Sequence, residues 1–522
     1  MKIPLTHIRF LERAEIQFRK KTAVIDGDQR WTYAEYASRC RQMANMLESL
    51  KLSPGGRVAC LSYNTHHLLE AYYGVNLAGG IIVPLNVRLC PSEYKFILND
   101  CKAEVVLFHQ DFSPLLEDIA NHLESVRYFI LLDKADPPRW AFPDSIENML
   151  EKEEQKYNFD VMQQNEDAVA SIFYSSGTTG HPKGVMLTHR NLYLHALEVG
   201  LMTKASESDV VLHIIPLFHV NGWGSPQYFT CLGATHVLIR DFEVEAIFTK
   251  IQQYKVTTFS LVPTMAESLI NHRSLSHFNF TSVRLVKIGG APSTPGLIRA
   301  VTEVFDCDCF AGYGLTETAP VLTMATPKVY LDLTHEQEFI LKSKAGYPIP
   351  GVHLNLIDSD GNSLPWNGRT IGELLIRSDG AMAGYWNHRE ATRAIFEGGW
   401  LHTGDLATID SDGCVHIVDR KKDIIISGGE NISSVEIERE ILSHPKILEC
   451  VVVAVPDSRW GEVPKALVIL KPGVSLSAEE IIDYSRKKLA SFKVPKSIEF
   501  HESFPKGGTG KILKKDLRQK YW

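Results

Sequence analysis

Apolar and polar positions follow one another in two rhythms along this chain, and the rhythm changes near residue 350. Before it, short and nearly unbroken apolar runs alternate with amphipathic stretches. RVACLSY (57–63) predicts a strand, HHLLEAYYGVNLAG (66–79) a helix and IIVPL (81–85) a second strand, the β-α-β order of parallel pairing. AEVVLFH (103–109), YFILLD (128–133), VVLHII (210–215), THVLI (235–239), TTFSLV (257–262) and VRLVKI (283–288) repeat the strand pattern. Runs with no polar face are what a sheet covered on both sides requires. Pro263 then opens TMAESLINH (264–272), a helical spacing whose first turn has no need of that N–H.

Beyond residue 350, HLNLIDSDGN, GELLIRSDG and ATIDSDGCVHIVDR are short strands broken by Asp-Gly turns, which favour antiparallel hairpins. After the charged DRKKD (419–423) come strands at ECVVVAVP and KALVILK and a helix opened by the capping box Ser477-x-x-Glu480. The predicted fold is α/β. A large N-terminal domain, residues 1–420, holds parallel α/β sheets plus a small antiparallel β subdomain. A small α+β C-terminal domain, residues 421–522, follows, with DRKKD as the joint.

Composition narrows the class. A chain of 522 residues, 44% hydrophobic and 22% charged, is long enough for more than one ordinary globular core. A net charge of −7 without a long basic run speaks against a nucleic-acid partner. Nine scattered cysteines include no C-x-x-C pair, which argues against a zinc site and suits a reducing compartment, so a cytoplasmic location is expected. No apolar stretch has the length of a signal peptide core or a transmembrane helix. Peripheral membrane association and a homodimer stay open.

One string carries chemistry. YSSGTTGHPKG (174–184) gathers small, hydroxylated and flexible residues, which suit either a surface loop or a phosphate cradle. It is not a Walker A loop, because Lys183 is followed by Gly184. GGTGKI (507–512) fails the same test, because Pro505 stands where the first Gly should be. No G-x-G-x-x-G follows a strand, so a Rossmann dinucleotide site is not indicated. Seven segments then occur in a fixed order: YSSGTTGHPKGV (174–185), PLFHVNGW (216–223), GGAP (289–292), AGYGLTET (311–318), GWLHTGDL (399–406), DRKKDIIISGGENISSVEIE (419–438) and PKGGTGK (505–511). Together they resemble the adenylate-forming superfamily of acyl-CoA synthetases, firefly luciferase and peptide-synthetase adenylation domains.

The resemblance implies a large N-terminal α/β domain with a small mobile C-terminal domain, in agreement with the pattern above. It implies ATP and Mg²⁺, with coenzyme A as cosubstrate. A carboxylate attacks the α-phosphate, giving an acyl-adenylate and pyrophosphate, and a thiol then displaces AMP. Two anions meet in the first step, so positive charge and donors must surround the phosphates. By resemblance, Ser175, Ser176, Gly177, Thr178, Thr179 and Lys183 form the loop over the β- and γ-phosphates. Glu317 holds Mg²⁺, with Thr178 as the second protein contact, and Thr316 stands beside it. Tyr313, flanked by Ala311, Gly312 and Gly314, stacks on adenine, with Gly290 and Ala291 on the other side. Asp405 and Arg420 take the ribose, Lys422 is the hinge position, and Lys511 is the catalytic lysine that offsets charge between carboxylate and α-phosphate. Ser427, Gly428 and Gly429 line the pantetheine tunnel.

The acid is read from PLFHVNGW. Peptide-synthetase domains place an Asp where this chain has His219, so an amino-acid amine would lack its counter-charge. The string F-H-V-N-x-W is similar to medium- and long-chain fatty acyl-CoA synthetases, which makes His219, Val220 and Trp223 the acyl-binding residues, with Trp223 at the acyl tunnel. Ser-Ser in ENISSVEIE leans the same way. Aryl or cinnamate-type CoA ligases, and an adenylate-former that hands its acyl group to a carrier protein, remain alternatives.

Overall fold

Strands apolar on both faces need helices above and below, and the chain supplies them around two large sheets. The computed structural model describes residues 2–175, 182–428, 430–506 and 512–522. One sheet has nine strands. Its centre is parallel, in the spatial order Asp308–Gly314, Leu285–Ile288, Thr258–Leu261, Val210–His213, Thr235–Leu238 and Thr22–Asp26, with antiparallel strands at both edges. The other has seven. Val169–Ser175, Ile81–Pro84, Arg57–Leu61, Ala103–Phe108 and Tyr128–Leu131 run parallel, and Lys183–Thr188 and Gly384–Tyr385 add an antiparallel edge.

The helix His66–Leu77 is buried along its whole length, as expected of a helix apolar nearly all round. It carries four polar side chains into the core, His66, His67, Glu70 and Asn76, and each finds a partner, Asn76 Nδ2 donating to Ala170 O at 2.8 Å. Arg39, on the helix Tyr33–Ser49, donates to Glu70 at 2.5 Å and to Glu147 at 2.6 Å. His67 Nε2 lies 2.8 Å from Glu147 Oε1, and His66 Nδ1 lies 2.8 Å from Asp26 Oδ2.

The antiparallel subdomain is a four-stranded sheet, Val352–Ile357, Gly372–Ser378, Leu401–Ile409 and Val415–Arg420. Only its last pair forms the short hairpin expected of an Asp-Gly turn, capped where Cys414 N donates to Asp410 Oδ1 at 2.8 Å. The first pair is joined through residues 358–371. Between Ser378 and Leu401 the chain leaves this sheet to lay Gly384–Tyr385 against Lys183–Thr188 of the seven-stranded sheet. The Asp-Gly dipeptide at 379–380 therefore sends the chain to a different sheet, and so does not close a hairpin.

The smaller C-terminal domain is a five-stranded sheet built on the long hairpin Ile447–Asp457 and Gly461–Leu470, with the helices Ser434–Leu442 and Ala478–Arg486. Its long edge strand Ile447–Asp457 is buried on both faces: Cys450, Val452 and Ala454 join one core cluster, Val451 and Val453 another. The Ser477–Glu480 capping box forms as expected. Where the four-stranded sheet ends, Asp419 Oδ2 accepts from Ser434 N at 2.6 Å and from Ser434 Oγ at 2.7 Å. Among the described residues no helix is long and apolar enough to cross a membrane.

Candidate active site

Several of the sequence-predicted residues lie at the carboxyl edge of the parallel strands, where open α/β sheets bind ligands. Gly290 and Ala291 are exposed just after the strand Leu285–Ile288, and Ala311, Gly312, Tyr313 and Gly314 end the neighbouring strand Asp308–Gly314. Tyr313 OH donates to Asp405 Oδ2 at 2.6 Å, and Arg420 Nε lies 2.7 Å from Asp405 Oδ1. Asp405 and Arg420 are direct cross-strand partners. Asp405 is 2% exposed, and both of its carboxylate oxygens have a partner in this set. Burial opposes the charge of Arg420, and Asp405 more than offsets it. Burial, followed by the Asp405 carboxylate, holds the Tyr313 hydroxyl well above its ordinary pKa. The residues proposed for adenine and ribose are thus one contact set. Thr-Gly-Asp, turn-like in isolation, lies within the strand Leu401–Ile409.

The described ends of the glycine-rich string lie in two antiparallel strands. Val169–Ser175 pairs with Lys183–Thr188, and Ser175 faces Lys183 across the last rung. Ser176, Gly177, Thr178 and Thr179 lie outside the described residues. Lys183 Nζ lies 5.2 Å from the centroid of the Tyr385 ring, and Tyr385 OH donates to Glu317 Oε1 at 2.8 Å. Glu317 and Thr316 belong to the helical turn Thr316–Thr318, anchored where Met382 N donates to Glu317 O at 2.8 Å. Lys183 and the candidate metal ligand are therefore linked through Tyr385. A carboxylate oxygen suits a hard cation such as Mg²⁺. Sequence reasoning missed Tyr385. The only hint was GYW (384–386) shortly after an Asp-Gly turn, and its contacts arise from sheet pairing.

Trp223 is set by unusual backbone. Val220, Asn221, Gly222, Trp223 and Gly224 have φ of +43°, +39°, +54°, +60° and +78°. A left-handed conformation costs roughly 1–2 kcal/mol per non-glycine residue, and such strain clusters at functional sites. A Cβ on Gly224 would come within 2.8 Å of the His195 ring, so only glycine closes this turn. The turn lays the Trp223 indole against the end of the strand Leu285–Ile288, where a Cβ on Gly289 would lie 3.1 Å from the ring. Val220 is buried and His219 half-buried beside it, with His219 N donating to Pro216 O at 3.0 Å.

In the C-terminal domain, Ser427 is buried in the short strand Ile425–Ser427, Gly428 N donates to Trp460 O at 2.8 Å, and Lys422 is exposed after Arg420. Gly429 and Lys511 lie outside the described residues. The segment bearing Lys511 is flanked by a paired base: Lys506 bridges Ile512, and Leu513 N donates to Pro505 O at 2.9 Å. Lys506 Nζ lies 2.7 Å from Glu449. Glu267, on the helix Pro263–Ile270 that follows a central strand, has its pKa raised by burial and further by Glu449, with Lys471 and Lys506 opposing. Lys506, on the near flank of that segment, therefore lies within electrostatic reach of the N-terminal domain.

The AMP-binding enzyme family matches residues 11–386, and the AMP-binding enzyme C-terminal domain matches residues 436–511. The chain is 37% identical to the long-chain-fatty-acid–CoA ligase of Thermus thermophilus, covering 98% of this chain and 95% of that protein. It is 32% identical to the 4-hydroxybutyrate–CoA ligase 2 of Metallosphaera sedula, covering 98% and 94%. Its structure superimposes on that of the anthranilate CoA ligase AuaEII in complex with anthranoyl-AMP with a TM-score of 0.90, at 29% identity, covering 100% of this chain and 98% of that one.

Proposed function

This chain belongs to the AMP-binding enzyme family and is an acid–thiol ligase of the AMP-forming acyl-CoA synthetase type, and from that premise we propose that it joins a medium- or long-chain carboxylic acid to coenzyme A through an acyl-adenylate, with the residues above in the following roles. The observation that carries the assignment is the link from Lys183 through Tyr385 to Glu317 beside the Tyr313–Asp405–Arg420 set. It gathers the cationic, metal-binding and nucleoside-binding groups at one edge.

Lys183 and Ser175, with Ser176, Gly177, Thr178 and Thr179, hold the β- and γ-phosphates as backbone and side-chain donors. Glu317, with Thr178, would hold Mg²⁺, which offsets phosphate charge. Tyr313 packs on adenine, and Asp405 accepts from the ribose hydroxyls while Arg420 holds its carboxylate in place. Lys511 enters between the acid and the α-phosphate as their charges meet. The C-terminal domain, residues 421–522, then turns about the joint at Lys422, withdraws Lys511 and presents Ser427, Gly428 and Gly429 to the pantetheine arm. Nine unpaired cysteines support a reducing compartment such as the cytoplasm. A second reading, an aryl acid, is favoured by the likeness to the anthranilate ligase.

The test is AMP release with CoA across acids from C2 to C18 and cinnamates. Acid-dependent pyrophosphate release without CoA-dependent AMP release would move the acyl acceptor to a carrier protein. Lys511→Ala should slow adenylation by roughly 10²–10³-fold and leave thioester formation from supplied acyl-adenylate largely intact. Equal losses in both steps would overturn the two-pose mechanism.

A further inference from the structure

Behind Trp223 the nine-stranded sheet turns one face toward the helix Ser225–Leu232, and among the apolar side chains of that face, Val211, Leu285 and Phe310, stand several buried polar ones. Alternation identifies it. Val286 and Ile288 point into one core cluster, so Lys287 points the other way, with Leu285 and Gly289. Its register partners are Ser260 and Phe310. Lys287 is 9% exposed, donates to Tyr228 OH at 2.8 Å and lies 5.5 Å from the ring centroids of Tyr228 and Phe229. Among the described residues no carboxylate forms an ion pair with it. A buried lysine so placed has one neutral acceptor and lacks the carboxylate counter-charge that such a group ordinarily has.

Its surroundings share the deficit. His213 Nε2 lies 2.9 Å from His236 Nδ1, and His236 Nε2 lies 3.1 Å from Thr230 Oγ1. Burial holds both rings neutral, and neither supplies a negative charge. Gln227 is 1% exposed, and both of its amide atoms lack a hydrogen-bond partner. It shares a helix face with Thr230, three residues on. Thr258 Oγ1, fully buried on the same sheet face as Ser260, is also unpartnered. Native cores rarely leave such groups unmet unless something else meets them. This polar layer is continuous with the acyl position. Gly289, which touches Trp223, is two residues from Lys287 on the same face, a separation of about 7 Å.

We propose that the far end of the acyl site selects an acid bearing an acceptor oxygen there, a hydroxyl, a carbonyl or a second carboxylate, held by Lys287 and Tyr228, in preference to an unsubstituted hydrocarbon tail. This rests on the acyl-CoA ligase reading above and revises its fatty-acid substrate to an oxygenated acid of modest length. Lys287 is then a specificity-determining residue, remote from the nucleotide.

The test compares kcat/KM for CoA-dependent AMP release in matched sets: hexanoate with 6-hydroxyhexanoate and adipate, and cinnamate with 4-hydroxycinnamate. In the wild-type protein an oxygenated member should lead its plain counterpart by at least about tenfold, because a site built to hydrogen-bond an oxygen rejects the analogue lacking it. Lys287→Met should shrink that ratio to near unity while raising the rate with the plain acid. A purely structural lysine would lower both rates together and leave the ratio alone. Should K287M lose ATP binding, the ratio is read in Tyr228→Phe, which removes only the hydroxyl and should diminish it. Preference of the wild type for the plain acid in both sets, or an unchanged ratio in the variant, overturns the inference while leaving the ligase reading intact. No AMP release with any acid overturns the ligase reading, and this inference with it.

Discussion

The network around Glu147 and the layer around Lys287 are both buried and polar, yet they are satisfied in opposite ways. At Glu147, carboxylates and cations interlock: Arg39 reaches Glu70 and Glu147, His67 reaches Glu147, and His66 reaches Asp26. Only His67 Nδ1 is left without a partner there. His66, His67 and Glu147 bring their ligand atoms within 4.8 Å of one another, but Arg39 already binds both Glu147 oxygens and supplies the positive charge a metal ion would bring. At Lys287 the cation has a phenol and two ring faces, and the amide and hydroxyl groups nearby lack partners. A network closed on itself ties helices together. A set of groups that cannot close on itself is completed by a ligand.

Substitutions at the two cations should separate these cases most widely. Arg39→Met strands Glu70 and Glu147 in the core and should destabilise the protein by about 3–5 kcal/mol, read as the loss in unfolding free energy in a urea titration. A loss below about 1 kcal/mol would mean that the network contributes no more than a surface pair. The next effect follows pH. Burial works against the charge of His66, but Asp26 and Glu147 outweigh it and raise its pKa from 6.5 to about 9. A raised histidine pKa contributes stability that is fully present below pH 6.5 and lost as pH rises through about 9, worth about 3 kcal/mol here. His67 is pushed by burial, and then by His66, down to about 3, so its contribution is lost as pH falls from 6.5 toward that value. Unfolding free energy should therefore decline between pH 6.5 and 9, and His66→Gln should flatten that decline. An identical slope in the variant would remove His66 as its source.

Lys287→Met should behave oppositely to Arg39→Met. Replacing a cation that lacks a carboxylate with an apolar side chain of similar length should be neutral or stabilising by up to about 2 kcal/mol. A loss as large as that of Arg39→Met would show that Lys287 is held by protein groups after all. The smallest change belongs to Thr258→Val, which removes an unpartnered buried hydroxyl and should stabilise by less than about 1 kcal/mol. Destabilisation there would reveal a hydrogen bond to Thr258 in solution.

Much of this was written in local pattern. Both-face apolar runs specified the parallel strands, because a strand covered on two sides has nowhere to place polar groups. The capping box at Ser477 and the turn at Asp410 formed because their donors and acceptors lie within a few residues. The expectation of hairpins failed at 379–380, where the Asp-Gly dipeptide permits a turn but does not choose the sheet that receives the next strand. Ordered motifs singled out Tyr313, Asp405 and Arg420 as candidates, and the three meet in the fold.

Tyr385 and Lys287 were invisible for one reason. Tyr385 gains its meaning from pairing with Val185, about 200 residues earlier in the chain, and Lys287 from facing Tyr228 while no carboxylate among the described residues reaches it. Periodicity and motif order are local or one-dimensional, so the chain alone specified elements, fold class and reaction type. Whether a buried charge is answered depends on which distant segments the packing brings around it, and that was decided only when the sheets and helices closed in three dimensions.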